Sequence, residues 1–143
     1  MVYRIQLYMS ESLSSAIDRA VKRFIDMCGD HVEEVVITRP DGLIVYAYVP
    51  PGSKYDARGI AALVSLLMGS SKRIYGQLRG GDIDSVIIDG KRGKILIKYI
   101  DLDGSGVYVS VITPTDNPEP NIGLILLALD NLGNRLKEIF KGV

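Results

Sequence analysis

Apolar and polar positions along this chain follow two periods, one helical and one of the strand type, and the switches between them set the element order. Leu13, Ile17, Ala20, Val21, Phe24 and Cys28 recur at helical spacing, with Ser10 placed as an N-cap and Gly29 just past the end. Two β-rich runs follow, over 32–38 and 43–49, joined by RPDG at 39–42. Proline presets the second turn position there, and glycine supplies positive φ at the last. Residues 56–79 return to the helical period. Three β-rich runs then come in quick succession, about 83–89, 94–101 and 106–113, joined by the glycine-rich turns DGKRG and DLDGSG. After Pro114, Pro118 and Pro120 a last helix spans about 121–141, with Ile122, Ile125, Leu129, Leu132, Leu136 and Phe140 as its buried stripe, widened by Leu124, Leu126 and Leu127.

The order is therefore αββαβββα. Short connections imply an antiparallel five-stranded sheet. Ile95, Ile97 and Tyr99 oppose Leu96 and Ile100 in one strand, and Val107, Val109 and Val111 oppose Tyr108 and Ile112 in the next. Both faces are apolar and both need cover. The expected fold is α/β of the α+β type: a three-layer sandwich with two helices on one face and the central helix on the other. Residues 1–9 alternate only in part (Tyr3, Ile5, Leu7 and Met9 against Arg4 and Gln6) and fit a short strand, an extended arm or a helical run-in. The expected organisation is an N-terminal arm over 1–9 and one domain over 10–143.

The central helix has two unlike sides. At about 100° per residue, Ile60, Leu63, Val64, Leu67, Ile74 and Leu78 gather on one side and read as core. The other side carries Gly59, Ala62, Ser65, Gly69 and Gly76, with Arg73 among them. Glycine inside a helix costs about 1 kcal/mol against alanine. Three in one helix imply that another backbone, that of a second helix, comes close.

Composition narrows the function classes. Lysine plus arginine (17) balances aspartate plus glutamate (17), which argues against nonspecific nucleic-acid binding. The longest apolar run, 122–129, contains Gly123 and is too short to cross a bilayer, and no signal peptide is expected. A single cysteine, Cys28, excludes an intrachain disulfide and fits a reducing, cytoplasmic setting.

Candidate chemistry is thin. DLDGSG at 101–106 opens like a calcium loop, but its twelfth position, where a bidentate acid is needed, is Ile112 in an expected strand. GQLRGG at 76–81 ends a helix instead of following a strand, and no GxxxxGK[ST] is present, so the chain is not itself a P-loop hydrolase. His31 lies close to Cys28, but Cys28 falls on the apolar helix stripe, where it reads as packing. No G-x-S-x-G elbow occurs. No catalytic residue, cofactor or metal is expected.

The hairpin VVITRPDGLIVYA (35–47), the helix RGIAALVSLLMGSSKRIYGQL (58–78), the strand pair DSVIIDGKRGKILIKYI (84–100) and NIGLILLALDNL (121–132), in this order, resemble the roadblock/dynein light chain superfamily, most nearly its prokaryotic MglB-like members. Residues 1–9 and the acidic turn 101–106 depart from the pattern. The resemblance implies a non-catalytic scaffold that dimerises through the central helix and the strand after it, and that binds a small Ras-like GTPase whose hydrolysis it can modulate. The dimer surface it implies here is Gly59, Ala62, Ser65, Leu66, Gly69, Arg73 and Gly76 on the helix, with Ile83, Ser85 and Ile87 on the strand. Arg58, Lys72, Arg73 and Arg79 border it as candidate partner contacts. Two other readings stay open: a profilin-like or PAS-like small-molecule sensor, and a purely structural subunit of a larger complex.

Overall fold

The computed structural model describes residues 2–3, 10–53, 56–117 and 119–141. The rest of the N-terminal arm, 1 and 4–9, lies outside the described residues. The elements are β1 (Val2–Tyr3), α1 (Glu11–Cys28), a 3-10 turn (Gly29–His31), β2 (Glu34–Thr38), β3 (Ile44–Tyr48), α2 (Ala57–Leu78), β4 (Ser85–Gly90), β5 (Gly93–Asp101), β6 (Gly106–Ile112) and α3 (Ile122–Lys141).

Local chemistry fixes the element ends. Ser10 is extended, and its side chain accepts from the Leu13 amide at 3.2 Å to cap α1. Gly29 closes that helix at φ 55°. The RPDG turn is held by Gly42 N–H donating to Arg39 C=O at 2.9 Å, with Gly42 at φ 91°. Asp56 caps α2, and Asn121 caps α3 through the Leu124 amide. The imidazole Nδ1 of His31 accepts from the Asn121 amide at 3.1 Å, so the link after α1 also anchors the start of α3.

The sheet order is β1-β3-β2-β6-β5-β4, every neighbouring pair antiparallel. Strands β2 to β6 are the five expected from the sequence. The two residues of β1 extend the sheet by pairing with Ala47 and Tyr48 at the β3 edge. Helices α1 and α3 pack together over one face, against Val35, Ile37, Tyr46, Leu96, Val107, Val109 and Val111. Helix α2 covers the other, against Val36, Ile44, Ala47, Ile97 and Tyr108. The expected three layers are present, with the strand faces divided as the alternation required.

On α3, Ile125, Ala128, Leu129, Leu132, Gly133 and Leu136 are buried. Leu127, assigned above to the widened stripe, is exposed, because the helix rests on α1 and β5 and turns that side to solvent. Gly133 lies against Ile100, where a β-carbon would come within 2.7 Å of Ile100 Cδ1, so this glycine brings the helix close to the sheet.

Candidate surface formed by the central helix and the free sheet edge

Helix α2 touches β2, β3 and β6. Only Ala61, Val64 and Met68 are fully buried on it, with Ile60 and Leu67 half-buried. The core stripe read from spacing is thus narrower than expected and shifted around the helix. Leu63 (68% exposed), Ile74 (58%) and Leu78 (74%) belong to the surface, and so does Leu66 (69%). Ile74 and Leu78 lie beyond Met68, the last buried residue of the helix, while Leu63 and Leu66 point away from the line of Ala61, Val64 and Met68 that meets the sheet. Ile88, on the face of β4 turned to α2, is also exposed, and Ile87 is exposed on the opposite face. This much apolar surface in one region marks an interaction surface. Between α2 and β4–β6 lies a groove of about 630 Å³ with Ile60, Leu63, Leu67, Ile88, Ile95 and Ile97 in its walls.

The small-residue side of α2 divides in two. Ala62 and Ser65 face the chain's own β2–β3 turn. Ser65 Oγ donates to Pro40 C=O at 2.5 Å, and a β-carbon on Gly42 would sit 3.8 Å from Ser65 Cβ and 3.9 Å from Ala62 Cα. At these two residues the helix meets this hairpin of its own chain, which leaves Ala62 exposed and Ser65 half-buried. Gly59, Gly69 and Gly76 are exposed, and a β-carbon on any of them would meet nothing within 4 Å. Leu66 and Arg73 lie exposed beside them. Of the strand residues singled out above, Ile83 and Ser85 are half-buried, Ile83 packing with the cluster under α2. Ser85 and Ile87 sit opposite Lys98 and Leu96, placing Ile87 on the α1–α3 face. The β4 side chains on the α2 face are Val86 and Ile88, opposite Ile97 and Ile95.

The charge of α2 is one-sided. Arg58, Lys72 and Arg73 lie within it, Arg79 caps its end, and no acid falls between 57 and 78. Of these only Arg79, at the C-cap, stands at the negative end of the helix dipole. Arg58, Arg73 and Arg79 border the surface and all three are exposed, Arg58 in the first turn. Lys72 is held in place: its Nζ lies 4.0 Å from the centroid of the Tyr99 ring and 5.2 Å from that of Tyr108.

The other sequence candidates fall into structural roles. Asp103 (φ 57°) and Gly104 (φ 88°) form the tight β5–β6 turn, closed by Leu102 N–H on Ser105 C=O at 2.7 Å. Ile112 lies in β6, paired with Ile95 and Glu34. Burial pushes the Cys28 thiol up to about 11, so it stays protonated and unreactive at neutral pH. Among the described residues, no three His, Cys, Asp or Glu side chains are grouped to hold a metal, and no helix is long and apolar enough to cross a membrane.

Sequence reasoning missed Leu63, Ile74, Leu78 and Ile88 as surface residues. The available signal was the width of the apolar arc on α2, which exceeds what a helix lying on one sheet can bury.

Comparison with known proteins gives the same fold. The Roadblock/LC7 domain profile matches residues 27–109. The uncharacterised protein MJ0310 of Methanocaldococcus jannaschii is 27% identical over 105 residues, 73% of this chain and 84% of that protein. Among solved structures, Myxococcus xanthus MglB superposes with a TM-score of 0.79 at 14% identity, covering 96% of each chain. The gliding protein MglB of Thermus thermophilus superposes at 0.77 and 9% identity, covering 99% of this chain and 100% of that one.

Proposed function

Because the chain belongs to the Roadblock/LC7 family, we propose that it is a non-catalytic homodimeric scaffold of the cytoplasm that binds a small Ras-like GTPase and biases its nucleotide state. The observation that carries this reading is the apolar surface of α2 and β4, with Leu63, Leu66, Ile74 and Leu78 in water beside three glycines that meet nothing in their own chain. A second copy buries that surface. Gly59, Gly69 and Gly76 allow its backbone to come close, with Ala62, Ser65, Arg73, Ile83, Ser85 and Ile87 around them. The cationic border supplies the GTPase contact through Arg58, Arg73 and Arg79, and Lys72 from its place over Tyr99. Such a scaffold supplies no reacting atom. It acts by contacting one conformation of the partner's switch loops better than another, which shifts that population and, if the catalytic water is ordered, the hydrolysis rate.

The test is capture from native cell extract on the immobilised chain, with the extract loaded with GDP or a slowly hydrolysed GTP analogue. A GTPase recovered preferentially in one state is the expected result. Recovery of none in either state overturns the GTPase assignment. Light scattering should give about twice the 15.7 kDa chain mass. A monomer at micromolar concentration overturns the homodimer.

A second reading, the small-molecule sensor, is favoured by the groove between α2 and β5. The two separate on an apolar dye. Under the scaffold reading dye fluorescence falls as dimer forms and covers the apolar walls; under the sensor reading it is independent of protein concentration.

A further inference from the structure

Helices α1 and α3 leave a second groove on the face of the molecule away from α2. His31, just past α1, bonds to Asn121 at the start of α3, so the two helices run antiparallel. Between them lies a trough of about 310 Å³ with Ala20, Phe24, Ala128 and Leu132 as its buried floor. The two alanines make it: where a longer side chain would fill the seam between the helices, a methyl group leaves it open. The stripes that border it have four-residue spacing, Arg19, Arg23 and Met27 on α1 and Leu127, Asn131 and Arg135 on α3, and all six residues are exposed. Antiparallel packing sets Met27 beside Leu127 as an apolar end and leaves the arginines as a basic one. Glu138, 3.7 Å from Arg135, is the only acid among the described residues lining the trough. One carboxylate does not balance three guanidinium groups, and the fold leaves Met27 and Leu127 in water.

We infer that this trough docks an acidic amphipathic helix of another protein. Apolar side chains on one side of such a helix cover Met27 and Leu127 at one end of the trough. Carboxylates further along it meet Arg23 and Arg135, whose guanidinium groups each offer a carboxylate two parallel N–H donors. A second copy of this chain does not fit. It would set arginines against arginines, or the apolar end of one copy against the basic end of the other. A flat anionic bilayer does not fit either, because it touches the two rims and leaves the alanine floor uncovered. The site lies across the sheet from α2 and stands whether or not two copies pair there.

Photo-cross-linking tests the site. Asn131 is exposed midway along the trough, and Cys28 is buried, so Asn131→Cys takes a maleimide–benzophenone label at one place. The labelled chain is irradiated in native cell extract, and the cross-linked peptides are sequenced by mass spectrometry. The expected product joins position 131 to a segment of another protein with apolar residues at helical spacing and an excess of Asp and Glu. With Arg23→Glu and Arg135→Glu added, its yield should fall at least about tenfold, while Tm and the mass by light scattering stay as they were. Arg23→Ala with Arg135→Ala brings no new charge beside Glu138 and should lower the yield in the same direction, which keeps the test open if the double reversal does not fold. A synthetic peptide of the captured segment should bind the unaltered chain less tightly as salt is raised. No cross-link, a cross-link to this chain itself, a segment without the acidic excess, or a yield indifferent to the two arginines overturns the inference. Co-sedimentation with phosphatidylglycerol vesicles that the same reversals abolish also overturns it, and assigns the basic rim to a membrane.

Discussion

Ser65 on α2 donates its hydroxyl proton to the carbonyl oxygen of Pro40 at 2.5 Å, which ties the central helix to the tip of the β2–β3 hairpin. Helix and turn lie close: a β-carbon added at Gly42 would be in ordinary van der Waals contact with Ser65 Cβ and Ala62 Cα. Ser65→Ala removes that bond and leaves the Pro40 carbonyl at the surface, where water can replace it. The expected loss is about 1 kcal/mol in urea unfolding. Ser65→Leu should cost more, because its side chain would displace the turn. Dimer mass by light scattering should survive Ser65→Ala. Its loss would show that the hydroxyl serves the partner more than the hairpin.

Gly69 separates the needs of the protomer from those of the dimer. It meets nothing of its own chain, so Gly69→Ala should stabilise the helix by about 1 kcal/mol through helix propensity alone. The same methyl group should weaken dimerisation, where the partner's backbone is close. Gly69→Glu should yield a folded monomer by circular dichroism and light scattering. A dimer that persists with glutamate there would place the seam elsewhere on α2.

Glu34 is buried on β2, with Oε1 accepting from Ser53 Oγ at 2.8 Å and Oε2 lacking a hydrogen-bond partner among the described residues. Burial raises its carboxyl above the ordinary value, Ser53 opposes that, and the charge of Glu33 adds to it. A carboxyl raised in the fold binds its proton more tightly folded than unfolded. Its contribution to stability is complete below the unfolded-chain pKa and is lost as pH rises through the folded one. Glu34→Gln, which keeps an acceptor for Ser53, should therefore raise Tm at pH 7, with the gain shrinking as pH falls into the ordinary carboxylate range. A gain that is the same at every pH would mean the carboxyl is not the cause.

Tyr46 on β3 donates to Asp18 Oδ1 on α1 at 2.7 Å, inside the core, and Lys22 pairs with the other carboxylate oxygen at 3.1 Å. Tyr46→Phe keeps the ring and removes the hydroxyl beneath a buried carboxylate. Bonds to charged groups lie at the strong end, so the expected loss is about 1.5–3 kcal/mol in urea unfolding with an unchanged m-value. A loss under about 0.5 kcal/mol would show that Asp18 is satisfied without it.

Local rules were enough for the element order, the capped start of α1, the RPDG turn and the division of β5 and β6 between two faces. Each depends on residues close in sequence, or on an alternation a strand cannot avoid. The resemblance of four separate segments to one superfamily added the expectation of a dimer and of a GTPase partner, which periodicity could not supply. The tertiary structure decided how much of the apolar arc on α2 is core. Spacing groups Leu63, Ile74 and Leu78 with Val64, but only the placement of the helix over β2, β3 and β6 shows that those three face water. It also decided that Ala62 and Ser65 answer to a hairpin 25 residues away, while Gly59, Gly69 and Gly76 answer to nothing in their own chain. A sequence records which side of a helix is small or apolar. What covers that side depends on contacts between distant segments, and these exist only once the chain has folded.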